Sequence, residues 1–407
     1  MRVAIIGGGL SGLSAAYYLP RGFRVTMFER DRKVGGRAQT SSSFGGEEGA
    51  EFLLGTETAI HSLLKRLGIP CYRIRELVGV RFRGRYACGS FRTVAQQLLP
   101  RRSAKAVKSL LALTPRYSKY STAPADGWLR KKLHGDREAM AFLQMILAGE
   151  TCAPLNHLGV RFLLGCLYSD SWYRIRGGSG RLAKTLRARC RAKGRMTLKL
   201  RTHVESVRES DGAVTVHWSK GGRRSQARFD GVIIATPKGE TLAGMRPQGH
   251  FHSYVSVLLQ YRRAWWKEEN PSLRKGFVTG FYSDGPLNYV QQASRTPRGR
   301  RTLRILLPDA DRERAWSNAQ IRHMCFAGLR DISSLSEKPI RSRITRWPEG
   351  LPCVGREEQA GKEKAKPISK RVYLAGDRFG EWPSMNAAIV SGKQAARLLA
   401  PNLTKLS

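Results

Sequence analysis

Acidic residues are scarce in this sequence. Against 72 lysines and arginines stand 31 aspartates and glutamates, a formal net charge of +41 over 407 residues. Four readings fit that imbalance: nucleic acid, an anionic membrane surface, an acidic substrate, or a basic surface with no dedicated partner. The basic residues are spread along the chain, in PRRSAKAVKS, RARCRAKGR, GGRRSQAR and RTPRGRR, and no basic tail separates from the fold. That spread favours a solvated surface, and with no RNA- or DNA-binding motif visible nucleic acid is the weakest reading. Cysteine is scarce too. The seven, at positions 71, 88, 152, 166, 190, 325 and 353, are odd in number and far apart. No CxxC and no His/Cys pair has zinc spacing, so neither a disulfide scaffold nor a metal site is expected. Free thiols fit a reducing, cytoplasmic setting. No apolar run approaches the ~20 residues that cross a bilayer, so a membrane is met peripherally at most. The first strand begins at once, which leaves no room for a signal peptide. No repeat or low-complexity segment interrupts the chain. The remaining composition, 41% apolar and 9% aromatic, is ordinary for a globular protein. The length suits two domains, or one α/β body with an inserted lobe.

What is present begins at the first residues, MRVAIIGGGLSGLSAAYYL. Val3–Ile6 is a short apolar run of β-favouring residues, as in a strand buried on both faces. It enters Gly7-Gly8-Gly9-Leu10-Ser11-Gly12 and then a helix start rich in small residues. Gly7 suits the tight turn, Gly9 lets backbone approach a pyrophosphate, and Gly12 permits close helix–strand packing. The N–H groups of that helix start, at Leu10 and Ser11, face the phosphates. A second strand, 24–28, ends in Glu29, the position where an acid receives ribose hydroxyls. These residues predict a dinucleotide site, with Arg30 beside the acid, and leave NAD and FAD both open.

The continuation ERDRKVGGRAQTSSSFGGEEGAEF resembles the flavin superfamily of amine oxidases, protoporphyrinogen oxidases and carotenoid or phytoene desaturases. The match rests on Glu29, on Gly35-Gly36-Arg37 and on Gly49-Ala50-Glu51-Phe52. The resemblance implies FAD, with Gly36 and Arg37 against its pyrophosphate and Glu51 and Phe52 beside the isoalloxazine. A guanidinium suits the first task because it neutralises phosphate while donating two parallel hydrogen bonds. Residues 174–208 continue the likeness as a glycine turn, an amphipathic helix and a strand ending at Val204, whose backbone the resemblance assigns to adenine. FDGVIIATP (229–237) is a further buried strand. Near the end, KRVYLAGDRFGEWPSMNAAIVSG reads as a strand, the Gly376-Asp377 turn, and a helix starting near Pro383 or Ser384. The resemblance gives Asp377 to the ribityl or phosphate part of FAD and Ser384 and Met385 to the flavin. A helix N-terminus at the flavin O2/N1 edge would favour reduction. The two chain ends thus hold one molecule.

The expected fold class is α/β: a discontinuous Rossmann-like FAD-binding domain (1–55, 176–245 and 340–407) with an inserted α+β substrate lobe. Residues 56–175 read as mainly helical, with helices in ETAIHSLLKRLGI and REAMAFLQMILAGE. Residues 246–339 offer strands in YVSVLLQY, GFVTGFYS and RTLRILL and a helix near SNAQIRHMCFAGL. The loop 355–367 reads as solvated.

For the chemistry, one departure is informative. Amine oxidases of the superfamily commonly place a lysine on the strand before an aromatic-rich segment. The comparable stretch here is SYVSVLLQYRRAWW, where Ser256 takes that position and no lysine lies between Lys238 and Lys267. ITRWPEGLP resembles protoporphyrinogen-oxidase-like members and PSMNAAIVSG resembles desaturases. The expected activity is therefore hydride removal from a hydrophobic or tetrapyrrole-like small molecule by non-covalent FAD. Trp347, Trp382 and Ser256 are the flavin-face candidates, and Cys353 lacks the surroundings of a covalent flavin link. An amine or amino-acid oxidase producing H2O2 stays open, as does a non-redox flavin protein or basic binding module. LLPRRSAKAVKSLLALTPRYSKY (98–120) mixes leucine with Arg/Lys as an interfacial helix would, for docking on anionic lipid. General base, electron acceptor and oligomeric state are unassigned.

Overall fold

The computed structural model describes the whole chain except residues 75–76, 121–122, 169–171, 193, 195, 247–249, 309–315, 354–364, 381–382 and 407. Its centre is a six-stranded sheet in the order Met196–Lys199, Arg24–Phe28, Arg2–Ile6, Gly231–Ile234, Val372–Leu374 and Lys366–Pro367. All pairs are parallel except the last. In the central strand, Ile5 faces Met27 on one side and Ile233 on the other. The two-residue period of a strand divides its apolar run between two cores. Val3 and Ile5 face helices Leu10–Tyr18, Ser179–Ala192 and Met385–Leu406, whereas Ala4 and Ile6 face a meander of strands His203–Ser210, Ala213–Lys220 and Arg223–Phe229. Four consecutive buried residues therefore read as a strand covered on both faces.

Helices Leu10–Tyr18 and Met385–Leu406 touch along small residues. A Cβ on Gly392 would stand 2.0 Å from the Ser11 carbonyl oxygen, and Ser14 Oγ donates to the Ile389 carbonyl at 2.8 Å. Only glycine admits that approach.

The second body is built on a seven-stranded sheet in the order Arg341–Pro352, Phe251–Gln260, Thr302–Pro308, Tyr289–Gln292, Phe281–Ser283, Val78–Phe82 and Arg85–Gly89. The strand Arg341–Pro352, expected with the cofactor domain from residue 340, is the edge of this sheet. The insertion 56–175 holds the expected helices Thr58–Leu67 and Arg137–Thr151 and also contributes the hairpin 78–89. GFVTGFYS is not one strand: Pro271–Thr279 is helical and only Phe281–Ser283 is extended. Asn270 caps that helix by accepting from the Ser272 and Leu273 N–H groups, and Pro271 opens it. These caps override the β preference of Phe277-Val278-Thr279. Likewise no strand ends at Val204. The chain breaks at Arg201, which has φ 52°, and a new strand begins at His203. A small sheet of Phe52–Leu54, Trp172–Ile175 and Cys71–Ile74 ties the two bodies together.

Candidate active site

A cleft of about 780 Å3 runs from the ends of the parallel strands to the seven-stranded sheet. At its first end the turn after Arg2–Ile6 supplies Gly7, Gly9, Leu10 and Ser11. Gly12 does not line the cleft but lies beneath it, where an added Cβ would sit 2.0 Å from the Gly7 carbonyl oxygen. It lets the helix start close on the turn, as its place in the motif predicts. Glu29 is buried. Its Oε2 accepts the Gly8 N–H at 2.7 Å and its Oε1 the Asp31 N–H at 2.9 Å. Burial pushes its carboxyl up, while those two N–H donors pull it back. Each oxygen retains a lone pair for a ribose hydroxyl. Arg30 and Val204 line the same end, with Thr202 and His203.

Midway, Arg37 joins the chain's two ends. Its guanidinium donates to the Gly350 carbonyl at 2.7 Å and to Asp377 Oδ1 at 2.6 Å. Gly36, Gly376, Ser384 and Met385 complete this stretch. Ser384 Oγ accepts the Ala387 N–H at 3.1 Å and so caps the last helix, whose start lines the cleft. Trp347 also lines it, with Nε1 donating to the Glu48 carbonyl at 2.6 Å.

Past Phe52, the chamber is walled by Leu54, Phe162, Trp172, Phe251, Leu306 and Leu351. Its floor is ionic. Glu51 pairs with Arg174 at 2.8 Å and with Arg304 at 2.5 Å, and Arg304 also donates to the Gly49 carbonyl at 2.6 Å. Gln291 Nε2 donates to Glu51 at 2.5 Å while its Oε1 accepts from Arg174 and from Tyr289. All five side chains are buried. Tyr254, above them, is pushed up to about 12 by burial, although Arg304 and Arg37 oppose the rise, and is a protonated phenol at neutral pH.

Ser256 departs from expectation. It shares a strand face with Tyr254 but is fully buried, does not line the cleft, and its Oγ has no hydrogen-bond partner among the described residues. Trp382 lies outside the described residues. Gly12 apart, the remaining predicted contacts all line the cleft. Sequence reasoning missed Tyr254, Arg304, Glu57 and Glu150, for no local motif marks them. It also missed the turn Ala235-Thr236-Pro237-Lys238, although the strand before it was legible. The lysine among the described lining residues is Lys238, whose Nζ stands 3.9 Å from Glu349.

The cleft fits a dinucleotide. A Cβ on Gly9 would meet open space, so that backbone faces the cleft bare. Ser11 Oγ, buried at the helix start, lacks a partner among the described residues and is placed for an anionic oxygen.

The sequence profile of the family described as flavin containing amine oxidoreductase matches residues 10–400. Protoporphyrinogen oxidase 2 of Arabidopsis thaliana is 45% identical over 71 residues, which are 17% of this chain and 14% of that protein's length. Wild-type putrescine oxidase, solved with putrescine bound, superposes with a TM-score of 0.75 at 18% identity over 98% of both chains. Cyclohexylamine oxidase from Brevibacterium oxydans gives 0.75 at 17% identity over 99% of both. The chain belongs to the flavin containing amine oxidoreductase family, its fold is that of the oxidases, and the group its cleft accommodates is FAD.

Proposed function

We propose that this chain is an FAD-dependent oxidoreductase that takes a hydride from a C–H bond of an apolar or aromatic small molecule, tetrapyrrole-like or polyene. The observation that carries the reading is the apolar wall of the chamber past Phe52, formed by Leu54, Phe162, Trp172, Phe251, Leu306 and Leu351. Bound non-covalently, FAD supplies a two-electron acceptor. The chain's residues do the rest. The Leu10–Ser11 helix start and Arg37 hold the pyrophosphate, and Glu29 receives the ribose. Phe162, Trp172 and Trp347 orient a flat substrate, and the apolar part of the wall limits water at the reacting carbon. Arg304 is fixed by Glu51 and Gly49, so its charge is spent within the wall.

One observation favours a second reading, amine oxidation. Glu57 and Glu150 line the same chamber, and Cys166 beside them is pushed up by burial and then by those two carboxylates. An ammonium group would be attracted there. Anaerobic mixing of the purified yellow protein separates the two. Bleaching of the flavin by a porphyrinogen or polyene but not by putrescine or cyclohexylamine supports the first reading. Bleaching by the amines alone, with H2O2 on admitting air, replaces it with the second.

For partners and location we propose a cytoplasmic protein that meets anionic surfaces through charge alone. Among the described residues no helix is long and apolar enough to cross a membrane. The helix Arg101–Leu111 turns Ala104, Val107 and Leu110 into the lobe core and presents Arg101, Arg102, Lys105 and Lys108 outward. Its apolar stripe is therefore not available for insertion. Sedimentation with anionic vesicles should be lost as salt is raised; equal recovery with neutral vesicles would remove the idea.

A further inference from the structure

Three residues far apart in the chain meet beside the rim of the cleft. His157 closes the turn Leu155–His157, His252 lies near the start of strand Phe251–Gln260, and Cys353 follows strand Arg341–Pro352. The register fixes two of them. His252 stands opposite Leu351, and the Cys353 N–H donates to the His250 carbonyl at 2.8 Å. Because side chains alternate along a strand, Cys353 falls on the same face as Leu351, and so on the face of His252. The turn brings the third group. His157 Nδ1 lies 2.6 Å from His252 Nε2, with the rings 4.6 Å apart and tilted by 30°. The two imidazole nitrogens and the Cys353 sulfur all lie within 4.8 Å of one another.

We propose that His157, His252 and Cys353 bind a borderline divalent cation of the zinc class. Two imidazoles and a thiolate are donors such an ion prefers, and its tetrahedral shell leaves a fourth position for water. That shell sets its nitrogens ~3.3 Å apart and each nitrogen ~3.6 Å from sulfur, given bonds of ~2.0 Å and ~2.3 Å. The present spacing reaches this when the two rings part by about 0.7 Å and the sulfur closes in by at most about 1.2 Å, the ion taking the place of the proton between the rings. On binding, the thiol releases its proton, and the ring that held the shared proton carries its N–H on the other nitrogen. The site clips the inserted helices to the two strands whose residues Phe251 and Leu351 line the cleft. None of the three residues is a cofactor contact, so the site stands or falls apart from the flavin reading.

Cobalt(II) is the probe, added to FAD-loaded protein and read as a difference spectrum and by equilibrium dialysis. The expected result is one cobalt per chain, with a thiolate-to-cobalt charge-transfer band and intense tetrahedral bands to the red of the flavin. Cys353→Ser should lose the charge-transfer band, and His157→Gln or His252→Gln should weaken retention at least tenfold. Cys71→Ser is the control, because Cys71 and His61, at 3.8 Å, form another close thiol–imidazole pair, which among the described residues gathers no third ligand. It should bind as wild type does. Stoichiometric binding that survives Cys353→Ser with an unchanged spectrum would overturn the proposal, as would weak octahedral absorption alone.

Discussion

The two ends of the cleft are built by different means. The cofactor end is backbone and glycine, drawn from short segments in which neighbours in sequence are neighbours in space: Gly7 to Gly12, then Glu29 bonded to Gly8 and Asp31. The substrate end is side chains, and its ionic floor collects Glu51, Arg174 and the cross-strand pair Gln291 and Arg304 from three distant parts of the chain. A phosphate is the same for every dinucleotide, so one turn can serve it and its pattern recurs. A substrate chamber is shaped by packing between elements, and no fixed spacing records it.

The contrast predicts graded outcomes. The largest belongs to Gly12→Val, which forces a side chain into the Gly7 carbonyl. The variant should retain no FAD, read as the ratio of flavin to protein absorbance after desalting; a yellow variant would break the claim that backbone contact builds this end. Next comes Arg304→Met, which leaves Glu51 with one cation. Urea unfolding should show a loss of about 3–5 kcal/mol. Adding Glu51→Gln should cost less than the two single losses together, since the pair acts as a unit.

Outside the lining of the cleft, Glu47 accepts from Ser179 N and Oγ and from Thr40 Oγ1. Burial outweighs these donors and lifts its carboxyl from 4.5 to about 7. The folded chain then keeps a proton that the unfolded chain has already released. Stability from this group is present below pH 4.5 and is lost as the pH rises to about 7, on the order of 3 kcal/mol in all. Melting temperatures of wild type and Glu47→Gln at pH 5 and pH 8 check the sign: wild type should lose more on going to pH 8, and parallel curves would refute it. The smallest effect is expected for Arg37→Met. It removes a charge-assisted contact to phosphate and leaves Asp377 unpaired, so FAD affinity should fall about 10- to 100-fold while the fold persists.

Legibility in the sequence follows the same division. The strand Val3–Ile6, the glycine turn, Glu29, Arg37 and the Gly376–Asp377 turn could be read because each sits in a local pattern set by backbone geometry. Asp377 was assigned to the cofactor, but its pairing with Arg37, 340 positions earlier, could not be. GFVTGFYS misled because a cap six residues upstream, at Asn270, outweighed β propensity. Ser256 was placed by counting along a strand, and counting cannot tell an open cleft from a closed core. The edge strand 341–352 escaped its sheet in the reading because pairing partners leave no mark within a strand.

The contact of Gly392 with the Ser11 carbonyl has a consequence in time. A ribosome working at ~5–20 residues per second makes the second glycine-rich segment about 20–75 s after the first. Through that interval the nucleotide turn is exposed on a strand whose neighbour, Gly231–Ile234, is itself slow to arrive. The grip therefore cannot close on the cofactor before the segment around Gly392 has been made. Loading waits for the segment around Gly392, and scarcity of the cofactor would be felt as a population of folded but open chains.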